Sequence, residues 1–203
     1  MISQQQITAV VLAGGQARRM GGQDKGLLMY QDQTFIQHLV NDLKPQVGQI
    51  IINANRHQQQ YADLTRCPVI EDHFGDFAGP LAGMLTGLQT IKTPYILFMP
   101  CDVPHIPDFL VTRLAEKLTQ SQAMISTVYD GQRTQYLFAL MRCEVQESLQ
   151  TYLQQNRHQV RAWYQQQHVV EVDFSDCPQF FVNINTPEDL QKCLTLNNFG
   201  HAE

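Results

Sequence analysis

Apolar runs alternate with segments of helical period along most of the chain, and this alternation predicts the fold. Val10, Val11 and Leu12 form a continuous apolar run, which is typical of a parallel strand covered on both faces. The β-rich runs are Ile7 to Leu12, Gln49 to Asn53, Pro68 to Ile70, Tyr95 to Met99, Ala123 to Val128, Gln135 to Met141 and His168 to Phe174. The pattern therefore predicts a sheet whose first strands are buried on both faces.

Helical patterns separate the early strands, because apolar residues recur there at spacings of three and four. The apolar positions are Phe35, Ile36, Leu39, Val40 and Leu43 before Pro45, then Leu81, Met84, Leu85 and Leu88, then Phe109, Leu110, Leu114 and Leu118, and later Val145, Leu149 and Leu153. Strand and helix in succession form right-handed βαβ units. We expect an α/β fold, a three-layer α/β/α sandwich with a mostly parallel sheet, in which the later strands are added at one edge.

Polar residues follow four of the predicted strands. They are Gly14-Gly15, Asn53-Ala54-Asn55-Arg56, Glu71-Asp72-His73 and Pro100-Cys101-Asp102-Val103-Pro104. The carboxyl ends of parallel strands meet at one edge of a sheet, where ligands of open α/β folds bind. The sequence therefore predicts one binding site built from these four strand ends.

The glycine-rich loop after the first strand predicts a phosphate site. Gly14 and Gly15 allow a sharp turn and a close backbone approach to an anion, while Arg18, Arg19 and Lys25 supply positive charge. The spacing matches neither the Walker A loop nor the G-x-G-x-x-G dinucleotide fingerprint. A strand-to-helix turn with a solvated basic rim is the alternative interpretation.

Asp102 is the candidate metal ligand. It follows an apolar strand and lies between Pro100 and Pro104, which restrict the backbone and stop the strand. A carboxylate held beside a triphosphate suits Mg²⁺, which takes one or two protein oxygens and completes its shell with phosphate and water. The alternative is that Asp102 caps the following helix.

The segment from Phe180 to Leu190 predicts a strand, a turn and the start of a helix. Thr186 and Pro187 suit the N-cap and the first helical position. Asn183 and Asn185 are not needed for that start, so their amides are candidate contacts to the metal or a phosphate. A structural turn explains them equally well.

The composition argues against several classes of protein. The 203 residues carry a formal net charge of −5, which argues against a general nucleic-acid binder and leaves the positive charge local. The apolar runs are too short to span a membrane and the start resembles no signal peptide, so we expect a cytoplasmic protein. The five cysteines form no C-x-x-C pair, which indicates neither a disulfide framework nor a zinc site. We expect a single domain.

These motifs together resemble the molybdenum cofactor guanylyltransferases, the MobA type of nucleotidyltransferase. The matching segments are Leu12-Ala13-Gly14-Gly15, Arg18-Arg19-Met20-Gly21-Gly22, Asp24-Lys25-Gly26-Leu27-Leu28, Asn53-Ala54-Asn55-Arg56-His57, Val69-Ile70-Glu71-Asp72, Gly79-Pro80-Leu81-Ala82-Gly83-Met84, Pro100-Cys101-Asp102 and Phe181-Val182-Asn183-Ile184-Asn185-Thr186-Pro187. The resemblance implies the nucleotide-diphospho-sugar transferase fold, which is Rossmann-like. It also implies transfer of GMP from GTP to molybdopterin, with release of pyrophosphate and with Mg²⁺ as cofactor.

The resemblance also implies the roles of individual residues. The expected nucleotide-binding residues are Leu12, Ala13, Gly14, Gly15, Lys25, Asn53, Asp72 and Asp102. Asp102 is the expected Mg²⁺ ligand, and Arg18, Arg19, Lys25 and Asp102 are the expected catalytic set. The Gly14-Gly15 pair favours GTP over CTP, because the related cytidylyltransferases tend to have Ala-Gly there.

The pterin side of the site is less well marked. Residues 1–105 resemble the nucleotide-binding half and residues 106–203 the pterin-side half of one nucleotidyltransferase domain, with Arg157 and Arg161 expected near the pterin. The segment between Asp130 and Leu140 lacks a proline that is usual in the family. We expect a monomer that also meets molybdopterin-delivering proteins and acceptor molybdoenzymes.

Two other functions remain open at the level of sequence. A cytidylyltransferase or sugar-1-phosphate nucleotidyltransferase would keep the fold and change the substrates. A non-catalytic carrier of nucleotide or finished cofactor would keep the phosphate loop without requiring Asp102 and Mg²⁺.

Overall fold

The computed structural model describes residues 1–13, 24–72, 79–184, 186 and 188–191. Its strands are β1 (Ile7–Leu12), β2 (Met29–Tyr30), β3 (Gln33–Thr34), β4 (Gln49–Asn53), β5 (Val69–Ile70), β6 (Tyr95–Pro100), β7 (Ile125–Tyr129), β8 (Thr134–Arg142) and β9 (Val169–Asp173). Its α-helices are α1 (Phe35–Leu43), α2 (Gln58–Thr65), α3 (Pro80–Thr90), α4 (Leu110–Ser121), α5 (Gln146–Gln154) and α6 (Val160–Tyr164). Residues 188–191 are also helical.

The main sheet has seven strands in the order β5-β4-β1-β6-β8-β7-β9. Every neighbouring pair is parallel except the two pairs that β8 makes with β6 and β7. The strands β8, β7 and β9 extend the parallel core beyond β6. The predicted mostly parallel sheet, with later strands added at one edge, is therefore confirmed.

Helices cover both faces of this sheet. Ala9 and Val11 of β1 pack into one cluster with side chains from α1, α2 and α4. Val10, which points the other way, packs with side chains from α3, α5 and α6. This alternation buries β1 on both sides, as the continuous apolar run predicts. The three-layer sandwich is confirmed.

The first long helix begins and ends where its sequence predicts. The backbone N–H of Thr34 donates to Gln37 Oε1 at 3.0 Å, which completes a capping box. The helix α1 ends at Leu43, before Pro45, and its buried residues form the predicted apolar stripe. Packing of that stripe on the sheet supplies most of the stability of a helix this short.

A bulge interrupts the pairing of β7 and β8. Ala139 lies opposite Thr127, but the next register position pairs Gln135 with Val128. The buried hydroxyl of Thr127 donates to the carbonyl oxygens of Gln135 and Phe138, at 3.0 and 3.2 Å. It thereby satisfies carbonyl groups that the bulge removes from the ladder.

The predicted strand near Phe180 is wrong, because Pro178–Phe181 forms a 3₁₀ turn. Pro178 has no N–H to donate to a strand ladder. The Phe181 ring packs edge-on against Phe138 and Phe174, with centroids 5.2 and 5.3 Å apart. Burial of this aromatic side chain anchors the segment against the sheet without a strand.

Candidate active site

The carboxyl ends of four parallel strands are aligned. The register places Leu12 level with both Asn53 and Pro100, and Asn53 level with Ile70. The backbone N–H of Ala13 still donates to the Asn53 carbonyl at 2.8 Å, just past the end of β1. The described residues that directly follow these strands, Ala13, Ala54, Glu71 and Cys101, therefore lie along one edge of the sheet, whereas Gly14, Gly15 and His73 of the predicted segments lie outside the described part of the chain.

Lys25 and Asp102 form an ion pair at this edge. Lys25 Nζ lies 3.1 Å from Asp102 Oδ2, and the two side chains are only 21% and 14% exposed. Burial raises the pKa of Asp102 above its ordinary value, and the Lys25 ammonium opposes that rise. The alternative role as a helix cap is wrong, because α4 begins at Leu110 with Phe109 at its cap.

Asp102 Oδ1 fits a metal ion. This atom is buried and accepts no hydrogen bond within the part of the chain that the structure describes. A buried carboxylate oxygen without a donor is costly unless a ligand or ion satisfies it. No group of three or more His, Cys, Asp or Glu side chains among the described residues forms a metal cage. A cation here would therefore need oxygens from a ligand and water, which is the usual shell of protein-bound Mg²⁺.

Asp24, the residue before Lys25, is also held in place. The Tyr61 hydroxyl of α2 donates to Asp24 Oδ1 at 2.5 Å, and both side chains are buried. Lys25 itself belongs to the 3₁₀ turn Lys25–Leu27, which follows Asp24 directly. The position of the lysine is thus linked to the neighbouring helix.

Asn53 and Asp72 meet at the other end of the site. Asn53 Nδ2 donates to Asp72 Oδ1 at 2.8 Å, and Asn55 Nδ2 donates to Asp72 Oδ2 at 2.7 Å. The Asp72 backbone N–H in turn donates to Asn55 Oδ1 at 2.8 Å. Three bonds therefore fix the Asp72 carboxylate and both amides, and β4 and β6 place this network and Asp102 on opposite sides of β1.

Gly83 allows α3 to approach that network closely. A Cβ atom at Gly83 would lie 2.3 Å from Asn53 Oδ1 and 3.0 Å from Leu12 Cδ2. Only a residue without a side chain fits between the helix and these two strand ends. The glycine thus fixes how near α3 comes to Asn53 and Leu12.

The segment after Phe181 pairs with the Asp102 loop. The backbone N–H of Ile184 donates to the Asp102 carbonyl oxygen at 2.9 Å, which places the partly buried Asn183 one residue from that contact. Thr186 and Asp189 form the predicted helix cap. The Thr186 N–H donates to Asp189 Oδ2 at 2.9 Å, and the Asp189 N–H donates to Thr186 Oγ1 at 3.1 Å. A tether to Asp102 therefore holds the start of this helix beside the site.

The two arginines predicted for the pterin side lie around the α5–α6 connection. The Arg157 guanidinium stacks over the Tyr152 ring at 4.3 Å from its centroid, and Arg161 belongs to α6. Within the described ranges, no hydrogen bond joins either arginine to Lys25 or Asp102. Their role near the pterin stays a prediction.

Several predicted residues lie outside the described part of the chain. They are Gly14, Gly15, Arg18, Arg19 and Asn185. Leu12, at the end of β1, is partly buried, and Ala13 is buried. In the described segments, no helix is both long and apolar enough to cross a membrane.

Comparison with known proteins decides the family. The model of the MobA-like NTP transferase domain matches residues 9–172. A molybdenum cofactor guanylyltransferase from Shewanella loihica is 44% identical over 187 residues, which cover 92% of this chain and 95% of the relative. The chain belongs to this family of MobA-like NTP transferases. A second guanylyltransferase, from Shewanella woodyi, is 42% identical over 186 residues and covers 92% of this chain and 94% of its own length.

A solved structure supports the fold of this MobA-like transferase. The molybdopterin-guanine dinucleotide biosynthesis protein A from Archaeoglobus fulgidus superposes with a TM-score of 0.77 at 19% identity, over 93% of this chain and 97% of the other. The predicted nucleotide-diphospho-sugar transferase fold is confirmed. The predicted enzyme class, a nucleotidyltransferase, is confirmed by the family.

Sequence reasoning gave no role to three side chains of the transferase site. Asn55 belongs to the predicted strand-end segment Asn53-Ala54-Asn55-Arg56, but the pattern gave it no role of its own beside Asn53. Asp24 directly precedes Lys25, but this position alone points less strongly to the site than that of Asn55. Tyr61 carried no signal, because a tyrosine on a short helix is as easily a core residue until its contact with Asp24 is known.

Proposed function

We propose that this protein transfers GMP from GTP to the terminal phosphate of molybdenum-bound molybdopterin and releases pyrophosphate. The product is the molybdopterin guanine dinucleotide cofactor. The observation that carries the proposal is the Lys25–Asp102 pair at 3.1 Å, in which the second Asp102 oxygen accepts no hydrogen bond from the described residues. It lies at the strand ends of a chain that is 44% identical to a protein named molybdenum cofactor guanylyltransferase.

The nucleotide half of the site covers about residues 1–105 of a single domain. Leu12, Ala13, Gly14 and Gly15 would hold GTP through the strand-end loop. The Asn53 amide and the Asp72 carboxylate would meet the nucleoside, because a fixed carboxylate accepts hydrogen bonds from hydroxyl and N–H groups. The Asn55 and Asn53 amides already hold that carboxylate in one orientation.

The reaction is an in-line displacement at the α-phosphorus of GTP. A terminal phosphate oxygen of molybdopterin forms the new P–O bond, and the bond between the α-phosphorus and the oxygen bridging to the β-phosphate breaks. The attacking phosphate is already ionised at neutral pH, so no general base is required. Positioning and charge stabilisation supply the rate, and Lys25, Arg18 and Arg19 would offset the charge on the departing pyrophosphate.

Asp102 would hold Mg²⁺ through Oδ1, the atom that accepts no hydrogen bond from the described segments. When bound, the ion neutralises charge on the triphosphate and on the leaving pyrophosphate. Lys25 occupies the other oxygen of the same carboxylate. One carboxylate would thereby hold both the lysine and a bound metal ion.

The pterin half would use about residues 106–203. Arg157 and Arg161 would attract the anionic molybdopterin, and Asn183 and Asn185 would contact the metal or a phosphate. Asn183 supports this role because its neighbour Ile184 is tied to the Asp102 carbonyl. Molybdopterin-delivering proteins and acceptor molybdoenzymes as partners, the monomeric state and the cytoplasmic location stay predictions.

A transfer assay tests the proposed function. The purified protein is incubated with molybdenum-bound molybdopterin and with GTP, CTP or ATP labelled at the α-phosphate, with Mg²⁺ or with excess chelator. We expect labelled molybdopterin dinucleotide and stoichiometric pyrophosphate with GTP and Mg²⁺. The turnover with CTP should be about a hundredfold lower, because the base edge must be recognised by hydrogen bonding.

Each other outcome contradicts a stated part of the proposal. A preference for CTP would make the protein a cytidylyltransferase, and transfer only to a sugar 1-phosphate would change the acceptor. GTP binding without pyrophosphate release would indicate a carrier. Full activity in excess chelator would show that the transfer does not require Mg²⁺.

A further inference from the structure

We propose that Tyr61 is a positioning residue for the transfer reaction, which holds Lys25 against Asp102 through the Asp24 carboxylate. The inference rests on the proposed function, since it assigns Tyr61 a part in the same site. Tyr61 lies on α2, outside the four strand ends. It acts through its neighbours and does not touch the substrates.

The first step is the contact between Tyr61 and Asp24. The hydroxyl donates to Asp24 Oδ1 at 2.5 Å. Tyr61 is fully buried and Asp24 is 8% exposed. Burial, reinforced by the nearby Asp24 carboxylate, raises the pKa of Tyr61 far above its ordinary value, so the phenol keeps its proton and remains a donor. A charge-assisted bond of this kind is stronger than a neutral one.

The second step is the close packing of Gly26 on the same ring. A Cβ atom at Gly26 would lie 2.6 Å from the Tyr61 hydroxyl oxygen and 3.1 Å from Cε1. The backbone on one side of Lys25 therefore rests on the ring, while Asp24 on the other side bonds to its hydroxyl. Tyr61 contacts the chain immediately before and immediately after the lysine.

The third step is the shortness of the turn that carries Lys25. The Leu27 N–H donates to the Asp24 carbonyl at 3.1 Å, and the Leu28 N–H donates to the Lys25 carbonyl at 3.1 Å. A turn of three residues has little freedom to absorb a shift of Asp24. A displaced Asp24 would therefore move Lys25 and lengthen its contact with Asp102.

The fourth step concerns what remains when the phenol is removed. Asp24 Oδ2 is buried and accepts no hydrogen bond from the residues that the structure describes. Without the Tyr61 hydroxyl, neither oxygen of this buried carboxylate would have a described side-chain donor. A carboxylate in that state is unstable in the interior and moves toward water. The adjacent lysine would move with it.

Two other buried tyrosines use their hydroxyls differently. Tyr152 and Tyr164 donate to backbone carbonyls of Gln159 and Tyr136. These bonds connect α5 to the residue before α6, and α6 to β8. Tyr61 instead donates to the side-chain carboxylate of Asp24. The residue after Asp24 is Lys25, a member of the expected catalytic set.

The test is a double-mutant cycle between Tyr61→Phe and Lys25→Ala, read as GMP transfer. We expect Tyr61→Phe to lower kcat by about ten- to a hundredfold, which is the scale of a misplaced catalytic group. The KM for molybdopterin should stay within about twofold of the wild-type value. In the Lys25→Ala background, Tyr61→Phe should lower kcat by less than about twofold, because its effect passes through the lysine.

Thr65→Val is the matched control. The Thr65 hydroxyl is buried on the same helix and donates to the Tyr61 carbonyl oxygen at 2.7 Å. Its removal also deletes a buried hydrogen bond of α2, but it leaves the Tyr61–Asp24 bond in place. We expect its kcat to stay within about twofold of the wild type. Thermal unfolding of each variant measures the loss of stability separately.

Gly26→Ala disturbs the same contact from the opposite side and serves where Tyr61→Phe does not fold. We expect a loss of similar size, again absent without Lys25. Three results would overturn the positioning role while wild-type transfer stands. Tyr61→Phe could lower kcat equally with and without Lys25, it could leave kcat unchanged, or Thr65→Val could lower kcat as much as Tyr61→Phe does. A wild-type protein that transfers no GMP would overturn the proposed function and this inference together.

Discussion

At the scale of single residues, the described part of the site contains two buried carboxylate oxygens without a hydrogen-bond donor. Asp102 Oδ1 and Asp24 Oδ2 accept no hydrogen bond in the described segments of the chain. Each such atom costs about 1–3 kcal/mol relative to a satisfied one. Lys25 follows Asp24 in sequence and forms an ion pair with Asp102. The destabilised oxygens therefore lie where substrates and a metal ion would bind. Ligand binding would recover part of it.

Gly83→Ala should disturb the Asn53–Asp72 network. The new methyl group would meet Asn53 Oδ1 at 2.3 Å, so the amide must turn away from Asp72. We expect a loss of about 1–3 kcal/mol in the free energy of unfolding, which is typical of overpacking. GTP affinity should fall as well. Urea unfolding and equilibrium titration with GTP measure the two effects.

Gly87→Ala is the control for that prediction. Gly87 lies one turn further along α3, and a Cβ atom there would be 3.2 Å from the nearest side-chain atoms of Phe98 and Val10. These apolar side chains can move by a few tenths of an ångström, and alanine favours the helix by about 1 kcal/mol. GTP affinity should stay unchanged. Unchanged affinity in Gly83→Ala as well would show that Asn53 has no part in binding.

At the scale of elements, the turn between β7 and β8 is held by one carboxylate. Asp130 Oδ1 accepts the backbone N–H groups of Gln132 and Arg133, each at 2.8 Å, and Oδ2 accepts Gln135 Nε2 at 2.6 Å. Although partial burial raises it, these hydrogen bonds hold the pKa of Asp130 below its ordinary value. Gln135 Nε2 also lies 3.3 Å from the Phe181 carbonyl oxygen, as a donor to it. The turn is thereby joined to the segment that leads to Asn183.

Asp130→Asn should therefore destabilise the protein in a pH-dependent way. Because the folded pKa is depressed, the stabilisation by the carboxylate is present above the unfolded pKa of about 3.9 and is lost as the pH falls through the folded pKa. We expect a loss of about 1–2 kcal/mol at pH 7. The difference from the wild type should shrink below about pH 4. Urea unfolding across that range checks the prediction.

The exposed Asp108 supplies the control for the turn. Asp108→Asn should change the free energy of unfolding by less than about 0.5 kcal/mol at pH 7. A constant difference between Asp130→Asn and the wild type from pH 7 to pH 3 would contradict the assignment of the stabilisation to the ionised carboxylate.

Sequence patterns predicted the elements whose local signals agree with their packing. The apolar run Val10-Val11-Leu12 and the proline-bracketed Asp102 both lie where periodicity and backbone chemistry predict. The strand expected near Phe180 is a 3₁₀ turn because ring packing overrides β-propensity there. The Tyr61–Asp24 bond joins residues 37 positions apart, and no local pattern reports such a contact.

At the scale of the whole molecule, the sheet order explains how distant segments form one site. The strand β1 lies between β4 and β6, so the Asn53–Asp72 network and the Lys25–Asp102 pair lie on either side of the carboxyl end of β1. The chain carries a formal net charge of −5, whereas both proposed substrates are polyanions. Substrate binding would therefore depend on local positive charge at this edge, from Lys25 and from the metal ion that we propose for Asp102.

The central claim is that Asp102 holds the metal ion and orients Lys25 for GMP transfer. Turnover of Asp102→Ala, measured with GTP, Mg²⁺ and molybdopterin on protein shown to be folded by its thermal unfolding, tests it most directly. The account predicts a fall of more than about a hundredfold. Turnover within about tenfold of the wild type, a loss of only ~1.4 kcal/mol of transition-state stabilisation, would contradict it.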